Sequence, residues 1–209
     1  MRVFVGLIAC FLLLQVLGQT PARACEVGFS AKVVGFSADG GTVILREAWD
    51  MGEDDVTKLQ LRLVSLADGT TAATHLICAD REQCLPQVKP SARARNWSRI
   101  EKELTGQGFA FSKEPAATTE LKDPAVKLEL RRAKSPGGIA PRDLVAVQGK
   151  KVTVLLAKAC PGSSTVMDPA GCQGPYVDPK QRFVFAVGEG CGSSSLKALA
   201  LDEVKAKLR

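Results

Sequence analysis

Val33-Val34-Gly35-Phe36-Ser37-Ala38-Asp39-Gly40-Gly41-Thr42-Val43-Ile44-Leu45 reads as two strands joined by a tight turn. Ala38-Asp39-Gly40-Gly41 supplies the turn, because Asp-Gly and Gly-Gly tolerate the positive φ that hairpin turns require. Val33, Val34 and Phe36 are the expected inward residues of the first strand. The second, Thr42 to Trp49, is β-branched and apolar enough to form a sheet.

Downstream of this hairpin, Asp50 to Asp55 is polar and reads as a loop. Leu59, Leu61 and Leu63 alternate with polar neighbours, the period of a half-buried strand. Ala67-Asp68-Gly69-Thr70 turns the chain, and Thr71 to Cys78 makes a fourth strand. Phe36-Ser37-Ala38-Asp39-Gly40 and Leu66-Ala67-Asp68-Gly69 resemble the turns within one blade of the WD40-like and TolB-like propeller families. The likeness covers about a fifth of the chain and implies hairpin geometry rather than a whole propeller. Near the C-terminus the pattern is echoed: strand and turn at Tyr176 to Gln181, a strand at Arg182 to Val187, a loop at Gly188 to Ser193, a strand at Ser195 to Leu201. Asp202 to Arg209 suits a short helix. Two such units are too few to close a propeller, which leaves two meanders in one sheet system or a coincidence of turn chemistry.

Between them the pattern changes. Pro86 and Pro90 bound a linker. Ser91 caps a helix running to about Leu104, and Gly106 and Gly108 stop it. Trp97, Ile100 and Leu104 share one face, with Arg93, Arg95, Arg99 and Lys102 largely elsewhere. Phe109 to Phe111 and Val126 to Leu130 are short strands, and Ser135-Pro136-Gly137-Gly138 is a turn. Lys151 to Ala159 reads as a buried strand through Val152, Val154, Leu155 and Leu156. Cys160 to Gly174 is a loop rich in Gly, Pro and Ser. The expected fold is mainly β, in antiparallel meanders with blade-like hairpins, plus one amphipathic helix near 91–104. A small α+β arrangement is the alternative.

Residues 1–24 read as a secretory signal peptide. A basic start at Arg2 precedes the apolar run Val3 to Gly18, and Ala22-Arg23-Ala24 forms a small-x-small cleavage site. The apolar run is short for a membrane anchor. Cleavage would expose Cys25, the position acylated in bacterial lipoproteins, although Arg23 fits that recognition box poorly. Residues 25–209 then form one β-rich domain of 185 residues, long enough to bury about 70% of its unfolded surface. Loss of Arg2 and Arg23 takes the net charge from +6 to +4. That mild, dispersed charge argues against nucleic acid as a partner.

Six cysteines remain: Cys25, Cys78, Cys84, Cys160, Cys172 and Cys191. An even count in an exported chain suits disulfides. Short loops favour Cys78–Cys84 and Cys160–Cys172, leaving Cys25–Cys191.

No catalytic constellation emerges. His75 is the sole histidine, and Cys78 three residues on is better placed for a disulfide than for a thiolate. There is no Cys-x-x-Cys zinc spacing. Asp50, Glu53, Asp54 and Asp55 lack the ligand order of a calcium loop. No Gly-x-Ser-x-Gly elbow accompanies Gly162-Ser163-Ser164 or Gly192-Ser193-Ser194-Ser195, and Gly188-Glu189-Gly190-Cys191-Gly192 is not in P-loop order. The sequon Asn96-Trp97-Ser98 lies inside the helix and is expected to be unmodified. No cofactor or metal is expected.

These features describe a periplasmic or secreted, non-enzymatic module that binds a protein or an envelope component. Its expected contact residues are Asp50, Glu53, Asp54 and Asp55 in one loop and Arg93, Arg95, Trp97 and Arg99 on the helix. Membrane attachment enters only through a lipid on Cys25. A secreted hydrolase is the alternative, and it requires two carboxyl groups converging on one substrate.

Overall fold

The computed structural model describes residues 28–50, 56–85, 91–112, 120–134, 140–160, 171–190 and 192–209. The signal peptide, Cys25, Cys191, the Pro86–Pro90 linker, the Ser135–Gly138 turn and Glu53, Asp54 and Asp55 lie outside them. The fold is mainly β, with antiparallel sheets and, among the described residues, three short helices.

The opening hairpin forms as its sequence dictates. Strand β1 (Gly28–Ser37) pairs antiparallel with β2 (Thr42–Asp50), and Gly40 turns the chain at φ +73°. Asp39 closes the turn by accepting from the Gly41 amide at 3.0 Å and the Ser37 hydroxyl at 2.5 Å. A register shift between Val33 and Gly35 puts Val33, Gly35 and Phe36 all out of solvent, while Val34 is half-buried. Strands β3 (Val56–Ser65) and β4 (Thr71–Cys78) extend the meander, and Leu59, Leu61 and Leu63 are buried on one face. Strand β5 (Phe109–Phe111) adds beside β1, giving the order β4-β3-β2-β1-β5. A side chain at Gly35 would meet the Ala110 carbonyl at 2.5 Å, so only glycine admits this neighbour.

Helix α1 (Arg81–Cys84) is a single turn, too short to carry a periodic signal. Asp80 caps it by accepting from the Gln83 amide at 2.9 Å. Helix α2 (Ala92–Gly106) is the amphipathic helix. The Ser91 hydroxyl accepts from the Ala94 amide at 3.1 Å, and Ile100 and Leu104 are buried. They pack on Ile44, Leu59, Leu61, Leu63 and Ile77, with Trp97 at the margin.

The remaining strands make two more sheets. Strands β6 (Glu120–Lys122), β7 (Ala125–Arg132), β8 (Arg142–Gln148) and β9 (Lys151–Cys160) lie in sequential order. Strands β10 (Cys172–Val177), β11 (Phe183–Gly190) and β12 (Ser193–Ala200) form the third sheet, followed by helix α3 (Leu201–Leu208). Two expectations are corrected here. Residues 188–190 and 193 belong to strands rather than a loop: β11 runs through Gly190 and β12 starts at Ser193, because Gly188, Glu189 and Gly190 continue the ladder opposite Ser195, Ser194 and Ser193. Val152 and Val154 are not core residues, being 44% and 47% exposed; the buried positions of β9 are Leu155, Ala159 and Cys160.

The three-stranded sheet is the middle layer. Phe185 and Val187 face the first sheet and pack with Ala31, Val33, Val43 and Leu45. Val184 and Ala186 face the other way and join Leu121, Val126, Leu128 and Leu144, with Val204 of α3. A strand buried on both faces must be apolar at every position rather than at alternate ones. Phe183 to Val187 satisfies that.

Two disulfides lie among the described residues. Cys78–Cys84 ties the end of β4 to α1, and Cys160–Cys172 ties β9 to β10 across two layers. They indicate an oxidising, extracytoplasmic compartment. Among the described residues, no helix is long and apolar enough to cross a membrane.

Candidate functional site

Glu47 and Arg46 are consecutive on β2, so they point to opposite faces of the sheet. Their fates differ. Glu47 is buried towards the middle sheet, where every oxygen has a donor. Its Oε1 accepts from Arg62 Nε at 2.8 Å and from the Ser194 hydroxyl at 2.5 Å, and its Oε2 from Gln60 Nε2 at 2.7 Å. Arg62 goes on to the Ser194 carbonyl at 3.0 Å and to Thr71 Oγ1 at 3.2 Å. This cluster ties β2, β3 and β12 together and leaves no free group to act on a ligand.

Arg46 points the other way, under α2. Its Nε is out of contact with solvent and has no hydrogen-bond partner. Burial, and then the like charge of Arg93, both lower its pKa. A buried donor without a partner costs about 1–3 kcal/mol. It stands in a cleft of about 460 Å³ between the sheet and the first two turns of α2. Arg46 and Leu59 come from the sheet. Ser91, Arg93, Ala94, Trp97 and Ser98 come from the helix and its cap.

The helix is fixed over this cleft. Asn96 Nδ2 donates to the Ile77 carbonyl at 2.8 Å, and Arg93 Nη1 reaches the Cys84 carbonyl at 3.4 Å. The indole N–H of Trp97 donates to Glu101 at 2.9 Å, and its ring meets Phe111 edge-on at 6.4 Å between centroids. The Trp97 wall is therefore held by its own neighbours before any ligand arrives.

Of the residues expected to make contacts, Arg93 and Trp97 are brought together at the cleft. Arg95 and Arg99 are exposed on α2 outside its lining. Asp50 ends β2 opposite Gly28, away from the cleft lining, and Glu53, Asp54 and Asp55 lie outside the described residues. Arg46, Ser91 and Ser98 were not legible as site residues. The available signal was an arginine in the middle of the apolar strand Thr42 to Trp49.

Glu189 is the other perturbed acid. It accepts from the Ala31 amide at 2.7 Å, on the side of β1 that short β5 leaves open, and from Gln173 Nε2 at 2.9 Å. Burial raises its pKa, against the lowering effect of those two bonds and of Lys32. It also contributes, after burial, to raising the pKa of Tyr176, whose hydroxyl donates to Gln173 at 3.3 Å. Cys78 is held in its disulfide and is no nucleophile. Among the described residues, no group of three or more His, Cys, Asp and Glu side chains could hold a metal ion.

Comparison of the chain with protein-family models, with curated proteins and with solved structures finds no match.

Proposed function

We propose that this is an exported, non-enzymatic binding module, periplasmic or secreted, that holds an anionic group of its partner in the cleft between β2 and α2. The observation that carries the reading is Arg46, which lines the cleft beside a second cation, Arg93, and whose buried Nε–H has no hydrogen-bond partner. Proteins seldom leave a buried charge unpaired. A pre-formed concavity that sets charged and polar groups beside apolar ones is what a ligand site requires, and its volume lies within the usual range for one. A cation at the cleft floor selects a negative partner, protein or envelope component alike.

The test is thermal unfolding and tryptophan fluorescence with sodium acetate, 3-phenylpropionate and inorganic phosphate, at matched ionic strength to hold screening constant. Binding to the native state raises Tm by mass action. At least one anion should stabilise the wild type. Arg46→Met should respond to none, yet unfold at higher urea, because removing the unsatisfied group recovers about 1–3 kcal/mol. Equal responses of wild type and variant to every anion would overturn the proposal. Intact mass of the exported chain tests compartment and anchoring: a start at Cys25 without a lipid increment is expected.

A further inference from the structure

We infer that this protein pairs with a second copy of itself, edge to edge, through strand β4. A strand at the border of a sheet turns alternate backbone N–H and C=O groups outward, and these recruit another strand unless something blocks them. Of the six border strands among the described residues, five carry such a block. β5 and β6 have three residues each. β10 contains Pro175, which has no N–H to give, and a register shift. β12 presents the exposed Lys197. β9 carries Lys151 and Lys158; Lys158 leaves the extended conformation at φ +48°, and its carbonyl accepts from Lys197 Nζ at 2.7 Å.

β4 is different. Thr71-Ala72-Ala73-Thr74-His75-Leu76 contains no lysine, no other charged side chain at pH 7 and no proline. Thr71, Ala72, Thr74 and Leu76 are exposed, Leu76 to 48%. The two register shifts against β3, at Ala72 and Ile77, stand either side of a regular run from Ala73 to Leu76. Asn96 of α2 takes the Ile77 carbonyl and closes that end, while no described strand pairs with β4 on its outer side. What fits such an edge is an extended backbone. The edge offers no charge for a charged strand to pair with, so electrostatics select a neutral partner strand, and β4 is itself one. A two-fold axis normal to the sheet sets two copies of one strand antiparallel, the more stable pairing. With the axis at Thr74, Thr74 faces its own copy and Ala73 faces His75. No like charges meet, and a threonine pair across strands is favourable.

The experiment is sedimentation equilibrium of the wild-type protein, of Thr74→Lys, of Thr74→Glu and of an equimolar mixture of the two variants. The wild type should reach a dimer by about 500 μM, as suits a contact at the small end of specific interfaces. Each variant alone sets like charges opposite one another, and its dimer should weaken at least about tenfold. The mixture sets Lys against Glu and should recover the dimer. Thr74 is exposed, so the variants at low concentration should melt with the wild type. Hydrogen exchange of the wild type alone gives a second readout that needs no variant: the amides of Thr71 to Leu76 should exchange more slowly in concentrated than in dilute solution. A wild type that stays monomeric, or amides that exchange alike at both concentrations, would overturn the inference. A dimer that both substitutions leave intact would place the contact on another surface and overturn it too. So would a mixture as dissociated as its components.

Discussion

Arg46 and Glu47 show how little of a polar residue's role is contained in its own strand. Alternation along Thr42 to Trp49 separates them onto two faces, and that much is legible. Which face receives Arg62 and Ser194, and which receives Trp97 and a cleft, depends on segments 15 to 147 residues away. Glu189 makes the same point across 158 residues, where its carboxylate substitutes for a missing strand beside Ala31. Its folded-state pKa is raised above the ordinary 4.5 by burial. The native state therefore favours its protonated form. That contribution is fully present below about pH 4.5 and is lost as pH rises through the folded value. Glu189→Gln keeps an acceptor for Ala31 and removes the charge. Its unfolding free energy should fall less than that of the wild type between pH 4.5 and pH 7, measured in urea at each pH. An equal or steeper fall in the variant would show that the carboxylate stabilises the fold when ionised.

At the scale of elements, strong local signals survived and ambiguous ones did not. The hairpin, the Leu59–Leu63 alternation and the Ser91 cap each combine periodicity with a turn or capping residue, and each forms where expected. β6 has three residues and β8 seven, and neither has the length or alternation to stand out. β9 was legible as a strand, but its face was not. Val152 and Val154 are β-branched and favour a strand wherever they sit, so they carry no information about burial. Of the four apolar side chains expected inside, the structure buries Leu155, half-buries Leu156 and exposes Val152 and Val154. Leu155→Ala should cost about 2–5 kcal/mol, whereas Val154→Thr should stay within about 0.5 kcal/mol. Urea denaturation separates these values, and comparable losses would reverse the assignment of faces.

For the whole molecule, the layering rests on contacts that no local pattern encodes. Phe183 to Val187 announces a strand buried on both sides. It does not say that one side meets the first sheet and the other meets β6 to β9. The Cys160–Cys172 bridge joins two of these layers across a sequence separation of 12. Replacing both cysteines with serine should lower stability by about 3 kcal/mol, read as a lower Tm in the absence of reductant. An unchanged Tm would mean that packing alone holds β9 against β10.

Placing β10 to β12 in the middle also sets the timing of assembly. Everything from Gly28 to Cys160 can emerge, pair its own strands and still lack the wall that covers Val33 and Val43 on one side and Leu128 and Leu144 on the other. That wall follows the strands of both outer sheets in the chain. Neither outer sheet can settle before it, and such distant pairings are slow to close.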